Sequence, residues 1–234
     1  MIKFLPSYVG SKSFYVQYLE QYKGRKFVEP FCGSAVISAN LASKAILNDI
    51  DPYITKILSR FDEQIVSDAF TREEYYQVRE FPNWWQYAYC LQKMSFSGVF
   101  RYSKNGYNVP AKKIPIVFVW EDYQDALERW RQLQPIITNK QYYEVEIKED
   151  DVLILDPPYK NTVASYCKED FDYGFYWEWV KKQQDICKTI ILFDFQDNFP
   201  KFVQKNMHVL SPERKSRING ARRGNKEIMV ELLR

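Results

Sequence analysis

Two textures of hydrophobic patterning alternate along this chain. One is the short unbroken apolar run: Val152, Leu153, Ile154 and Leu155 follow Asp151 and stop at Asp156, the pattern of a strand buried on both faces. Shorter runs predict a strand from Lys26 that breaks into the small-residue turn ending at Ser34, and further strands at 45–49, 189–193 and 227–232. The other texture predicts helices over 35–43, 53–61 and 177–187. Strand, turn, helix and strand in that order specify an α/β sheet with parallel neighbours.

The stretch from 62 to 135 breaks this rhythm. It is rich in aromatic residues, with Trp84, Trp85, Trp120 and Trp130, and has no clear strand alternation. Short helices and a long loop are expected there, inserted between two halves of the sheet. A length of 234 residues suits one large domain carrying such an insertion.

Composition narrows the chemistry by exclusion. Hydrophobic residues make up 46% of the chain, yet no stretch reaches the roughly 18 apolar residues that a membrane span needs. The first residues lack the apolar centre of a signal peptide, so a soluble, cytoplasmic protein is expected. Cys32, Cys90, Cys167 and Cys187 are scattered without paired spacing, and His208 is the single histidine. Zinc sites, disulfide frameworks and histidine-based triads are therefore poor candidates, and no metal is expected.

A net charge of +3 says little about partners, whereas its distribution says more. Five basic residues and no acid lie between 93 and 113 (Lys93, Arg101, Lys104, Lys112, Lys113), interleaved with Phe96, Phe100, Tyr102 and Tyr107. A second cluster holds Arg214, Lys215, Arg217, Arg222, Arg223 and Lys226. Basic side chains among aromatics suit nucleic acid, although a solvated charged face has the same composition.

The most informative motif is Asp156, Pro157, Pro158 and Tyr159, at the exit of a predicted strand. Ligands of open α/β sheets bind beyond the carboxyl ends of strands. The prolines supply no N–H, leaving the Pro157 carbonyl free to accept a bond from outside the sheet. A carboxylate and a carbonyl side by side suit an amino group on a planar base, and an aromatic face suits a base removed from its stack. An ordinary proline-stiffened turn would read the same way.

Glu29, Pro30, Phe31, Cys32, Gly33 and Ser34 form the turn after the first strand, and Asp49 ends the next strand 16 positions beyond Gly33. Small residues there give a nucleoside close access to backbone, and a carboxylate there can hold ribose hydroxyls. Asp49 can equally cap the following helix together with Asp51 and Pro52.

Taken in order, these motifs resemble the Dam-type DNA adenine-N6 methyltransferases, whose cofactor is S-adenosylmethionine. The likeness spans most of the chain. It begins at Tyr8, Val9, Gly10, Ser11 and Lys12, continues through the Glu29 to Ser34 turn and Asn48 to Asp51, and passes through Phe96 to Tyr102 and Asn105 to Pro110. It then reaches Asp156 to Tyr159, the loop bearing Thr162, Tyr166, Phe171 and Asp172, and finally Asn219, Gly220, Arg222, Arg223, Gly224 and Glu227. The chain departs from the family pattern in lacking a further turn glycine, and in having Gln141 where the family often has an acid, Ser97 where an asparagine is usual, and Ser7 where some members carry a base-contacting lysine.

The resemblance implies a Rossmann-like methyltransferase sheet, built from 1–61 and 136–234, with a mostly helical target-recognition insert at 62–135. It implies that Tyr8, Lys12, Glu29, Pro30, Phe31, Cys32, Gly33, Ser34, Asp49, Tyr142 and Asp156 hold the cofactor. Asp156, Pro157, Pro158 and Tyr159 would be catalytic. Phe96 would wedge into the duplex and Arg101 would read a guanine. Ser97, Val99, Lys104, Asn108, Pro110, Lys112, Lys113, Asn219, Arg222 and Arg223 would complete the DNA surface. The implied partner is double-stranded DNA, bound by a monomer or weak dimer, with no membrane and with a phage or plasmid origin open. Cytosine N4, RNA adenine or a protein amide remains open as acceptor, as does a homologue that binds DNA without turnover. Asp156 favours adenine over cytosine or an amide, because cytosine-N4 enzymes usually carry Ser there and amide-modifying ones Asn.

Overall fold

A computed structural model describes residues 10–66, 69–96, 101–103, 106–113, 116–117, 120–160, 171–215 and 226–233. Seven strands form the main sheet: β1 (Lys26–Glu29), β2 (Lys44–Asn48), β3 (Ile136–Thr138), β4 (Val152–Leu155), β5 (Thr189–Phe195), β6 (Met207–Val209) and β7 (Lys226–Leu232). Their spatial order is β6-β7-β5-β4-β1-β2-β3, and Arg214–Lys215 pairs with β7 as an eighth, short strand. The five strands from β5 to β3 are mutually parallel, whereas β7 runs antiparallel to both β5 and β6. The α/β sheet expected from the apolar runs is present, and its doubly wound order is Rossmann-like.

Strand β1 pairs with β2 on one side and β4 on the other. The chain leaves β1 toward β2 and β3 and returns through β4, which makes the β1–β4 boundary the topological switch point, where the crevice of such sheets lies. Period-2 alternation sorts the side chains. Phe27, Val152, Ile154, Ile191, Phe193 and Met229 enter one core, and Val28, Leu153, Leu155, Leu192, Ile228 and Val230 enter the other. With both faces covered, every central position is apolar, which is why these strands read as unbroken runs.

Helix α1 (Val36–Leu41) follows β1, and α2 (Pro52–Ser59) follows β2 with Asp51 as its N-cap and Pro52 at its first position. A 3-10 helix, Lys12–Tyr22, lies against α1. The inserted stretch contains α3 (Arg72–Arg79), opened by a Thr71–Glu74 capping box, then α4 (Ala88–Met94) and α5 (Trp120–Leu133). Two-residue ladders, Tyr102–Ser103 with Gly106–Tyr107 and Ala69–Phe70 with Ile116–Val117, replace part of the expected loop. Helix α5 docks back on the sheet layer, where Arg129 Nε donates to the Ala39 carbonyl at 2.8 Å and Trp130 Nε1 to the Leu58 carbonyl at 3.2 Å.

Helix α6 (Tyr173–Ile186) begins one turn earlier than the apolar period suggests, because Asp172 caps it by accepting the Phe175 N–H at 2.9 Å. Helix α7 (Lys201–Lys205) completes the layer on that face. Among the described residues no helix is long and apolar enough to cross a membrane, and no three His, Cys, Asp or Glu side chains group as a metal site requires.

Candidate active site

A cleft with about 320 Å3 of empty space, partly open to solvent, lies at the switch point. Its walls come from three separate motifs: Gly10, Ser11 and Lys12; Glu29 with Phe31 to Ser34 after β1; and Ile154 with Asp156 at the end of β4. The chain bends sharply at the second of these. Gly33 (φ 45°) and Ala35 (φ 53°) both adopt left-handed conformations. That geometry is free of steric cost for Gly33 and worth roughly 1–2 kcal/mol of strain for Ala35. The Ala35 N–H donates to the Cys32 carbonyl at 2.7 Å, and the Cys32 N–H to the Asn48 carbonyl at 2.8 Å.

Asp49 braces this turn from behind. Its Oδ2 accepts the Gly33 N–H at 2.9 Å and its Oδ1 the Asp51 N–H at 3.0 Å. Burial raises its pKa to about 6 against those two bonds. Glu29 is buried as well and accepts the Ser38 N–H at 2.9 Å; desolvation lifts its pKa to about 7. Cys32 is buried, and burial pushes its thiol pKa well up. Pro30 accepts Asn48 Nδ2 at 3.0 Å, and Asn48 also accepts the Lys140 N–H at 2.9 Å, tying β2 to the loop after β3. Tyr142 stands behind Phe31 with ring centroids 5.2 Å apart, in an aromatic cluster that includes Phe171 and Tyr176.

Asp156 is the meeting point of a buried network. Lys12 Nζ lies 2.9 Å from Asp156 Oδ2 and 2.9 Å from Glu227 Oε1, and it donates to the Gly10 carbonyl at 2.7 Å. The Tyr159 hydroxyl lies 2.9 Å from Asp156 Oδ1 and also bonds Glu227 Oε1. Tyr15 donates to Glu227 Oε2 at 3.2 Å. Desolvation raises the Asp156 pKa to about 6, in spite of Lys12 and Tyr159. Burial works against the Lys12 ammonium too, but Asp156 and Glu227 outweigh it and hold its pKa above the ordinary value. For Glu227 the burial cost is outweighed by Lys12 and by bonds from Tyr159, Lys12 and Tyr15, which leaves its pKa below the ordinary carboxylate value.

The Tyr159 ring is only 5% exposed, with Phe195 edge-on at 5.0 Å and Lys12 Nζ 5.2 Å from its centroid. Tyr173 donates to the Pro158 carbonyl at 2.9 Å, fastening the proline turn to the start of α6. Sequence reasoning missed Tyr15 and Tyr173, included Asn48 only as part of the Asn48 to Asp51 motif, and grouped Glu227 with a DNA-contacting strand pair. Glu227 stands just before the apolar run of β7, and nothing in the linear sequence signals its burial.

The residues expected to contact DNA lie elsewhere. A bridge between Ser95 and Ala111 brings Phe96 beside Pro110, whose carbonyl accepts the Phe96 N–H at 2.8 Å. Phe96 is 62% exposed. Arg101 is also exposed, and its Nε donates to Asn108 Oδ1 at 2.9 Å. Lys112 Nζ reaches the Lys93 carbonyl at 2.8 Å, and Lys113 is exposed. Tyr8, Ser97, Val99, Lys104, Asn219, Arg222 and Arg223 lie outside the described residues, as do Thr162 and Tyr166.

A doubly wound sheet whose switch point opens between a small-residue turn and an acid-bearing strand end is a Rossmann-like protein with its crevice where ligands of such sheets bind. Residues 8–190 match the D12 class N6 adenine-specific DNA methyltransferase family, and the chain belongs to that family. It is thus a methyltransferase by descent, of a kind that generally uses S-adenosylmethionine. Solved structures similar to this chain include a conserved hypothetical protein of Streptococcus pyogenes, at 9% identity over 96% of this chain and 96% of that one with a TM-score of 0.45. A dimethyladenosine transferase of Plasmodium falciparum shares 11% identity over 94% of this chain and 60% of that one, TM-score 0.45. An rRNA methylase of Streptococcus thermophilus shares 9% over 94% and 96%, TM-score 0.41. Likeness at that level assigns no activity.

Proposed function

We propose that this chain is a site-specific DNA methyltransferase, moving a methyl group from S-adenosylmethionine to N6 of an adenine rotated out of double-stranded DNA. One observation carries the reading: Asp156 opens on the same cleft as the turn after β1, so a carboxylate able to hold an amine shares one space with a turn able to hold a nucleoside. The cleft suits the cofactor. Glu29 and Asp156 set negative charge where a cationic sulfonium would sit, Gly33 and Ser34 leave backbone approachable, and Lys12, Phe31 and Cys32 complete the wall. Pro30, Asp49 and Tyr142 support that wall from behind.

Bound there, S-adenosylmethionine supplies an electrophilic methyl group and leaves as S-adenosylhomocysteine. The chain's own residues prepare the amine. Asp156 and the Pro157 carbonyl accept its two hydrogens and pull the nitrogen toward tetrahedral geometry, and Asp156 takes the proton released. Pro158, held by Tyr173, keeps the turn in place. Tyr159 stacks the base through one face of its ring while its hydroxyl stays within the buried network. Positioning of this kind supplies most of the catalysis.

Phe96 fills the gap in the duplex, Arg101 reads a guanine with its guanidinium oriented by Asn108, and Lys112 and Lys113 hold phosphates. Lys104, Asn219, Arg222 and Arg223, which lie outside the described residues, are further DNA contacts in this reading on the strength of the family likeness alone. In this reading 1–61 and 136–234 form the catalytic domain and 62–135 the DNA-reading insert, with α5 linking the insert back to the sheet.

The test is direct. Duplex DNA treated with the protein and S-adenosylmethionine, then digested to nucleosides, is expected to contain N6-methyladenine by mass spectrometry. Asp156→Ala is expected to lower the yield on the order of 10²-fold or more while duplex binding persists. N4-methylcytosine in place of methyladenine, or product from RNA alone, would overturn the reading.

A further inference from the structure

Both oxygens of Asp156 already carry donors: Lys12 Nζ on Oδ2 and the Tyr159 hydroxyl on Oδ1, each at 2.9 Å. Each oxygen keeps a second acceptor site, but an incoming amine must share Asp156 with a buried cation and a hydroxyl that draw on the same negative charge. Both donors have a second acceptor within reach, and it is the same atom, Glu227 Oε1. Tyr159 has a single hydroxyl hydrogen for two acceptors, so that hydrogen can rest on Glu227 without any new partner. Lys12 needs a counter-charge wherever it sits, because a buried unpaired ammonium is strongly disfavoured.

Glu227 is firmly set for this. It lies in β7, opposite Phe195 of β5 in the antiparallel register, is buried, and has its other oxygen held by Tyr15. We propose that Glu227 is a positioning residue for methyl transfer: it takes over the Lys12 ammonium and the Tyr159 hydroxyl as the substrate amine reaches Asp156. Nothing is bonded covalently to Glu227. It supplies the place to which the two caps retreat, so Asp156 can be released without stranding a buried cation. The inference rests on the reading of Asp156 as the residue that holds the amine. Besides Lys12, Tyr159 and Glu227, the charges that bear on Asp156 are Glu29, Asp49 and Asp194.

Glu227→Gln keeps an oxygen for both donors and removes the charge, leaving Asp156 as the counter-ion of Lys12 in this network. Two readouts test it, in comparison with Glu227→Asp. Single-turnover methylation is expected to fall about tenfold in Glu227→Gln, the effect of one charge-assisted hydrogen bond, with dissociation constants for S-adenosylmethionine and duplex DNA within about twofold of wild type. Glu227→Asp is expected to lie between the two. In the cofactor-free protein, carbon NMR of the Asp156 carboxyl is expected to show its titration midpoint falling by about 1 pH unit in Glu227→Gln, since Glu227 no longer shares Lys12 or repels the Asp156 charge.

A wild-type rate with an unmoved Asp156 titration overturns the proposal, as does a loss that follows cofactor affinity. Should Glu227→Gln fail to fold, Glu227→Asp is read alone, and a wild-type rate in it overturns the proposal equally. Wild-type protein that methylates no DNA defeats the functional reading instead, and the Asp156 titration still decides whether Glu227 shares its donors.

Discussion

Glu29 sits buried at the end of β1, with its Oε1 on the Ser38 N–H and its pKa lifted to about 7 by desolvation. A carboxyl whose folded pKa is raised binds its proton more tightly when folded, so the cost of its charge is absent below the unfolded value and fully present above about pH 7. Glu29→Gln keeps an oxygen for Ser38 and deletes the charge. It is expected to stabilise the cofactor-free protein by roughly 1–3 kcal/mol at pH 8 and by nothing resolvable at pH 4.5, read by urea denaturation. It should also weaken S-adenosylmethionine binding, because the negative charge is what a sulfonium meets in this wall. Equal stability of the two proteins at pH 8 would mean that the folded state bears no cost for this carboxylate. The same residue shows where reading the sequence stops. Glu29 was found as part of a turn motif, but its burial depends also on β2 and β4 pairing on either side of β1, a pairing that its neighbours in sequence do not encode.

The turn between β1 and α1 is the element on which the cleft depends, and its shape is set from β2. Asp49 accepts two main-chain N–H groups, one from Gly33 inside the turn and one from Asp51 at the cap of α2. Asp49→Ala leaves both donors buried without those acceptors, at about 1–3 kcal/mol each, partly offset by removing a charge that burial disfavours. A net loss of about 2 kcal/mol corresponds to a melting temperature lowered by about 4–8 °C for a chain of this size. Calorimetry without cofactor tests this, since a residue that only bound ribose would leave that temperature unchanged. Elements of this kind were legible unevenly. Strands covered on both faces show as apolar runs, so β2, β4, β5 and β7 were found within two residues of their bounds and β1 at its first residue. The start of α6 was hidden by Tyr173 and Gly174, and the 3-10 helix Lys12–Tyr22 has neither a side-chain cap nor an acidic first turn to announce it. The docking of α5 rests on Arg129 and Trp130 reaching carbonyls 90 and 72 positions away. Tyr15 and Glu227 meet across 212 positions. Linear patterning carries no trace of such pairings, so the network around Asp156 stayed invisible although its central acid did not.

Across the whole molecule, one edge of the sheet gathers acids. Asp49 follows β2, Glu29 ends β1, Asp156 follows β4, Asp194 lies near the end of β5 and Glu227 near the start of β7, with Lys12 as the cation bonded among them. The overall charge of +3 conceals this concentration. Burial raises Asp49 and Asp156 to about 6 and Glu29 and Asp194 to about 7, whereas Glu227 is lowered by its partners. The four raised groups bind more protons folded than unfolded between about pH 4 and 7, so stability falls as pH rises through that window. Glu227 acts in the opposite sense, and its contribution is lost only as pH drops below its ordinary value. Four raised groups against one lowered group fix the sign. The melting temperature of the cofactor-free protein is therefore expected to be higher at pH 5 than at pH 8. Methylation should run the other way, rising through about pH 6 as Asp156 gains the charge that lets it accept an amine hydrogen and take up its proton. Scanning calorimetry and single-turnover rates on one set of buffers measure both curves. A melting temperature that is flat or climbs from pH 5 to pH 8 would show that these acids are not held against their charge, and with that the electrostatic account of the cleft would fail.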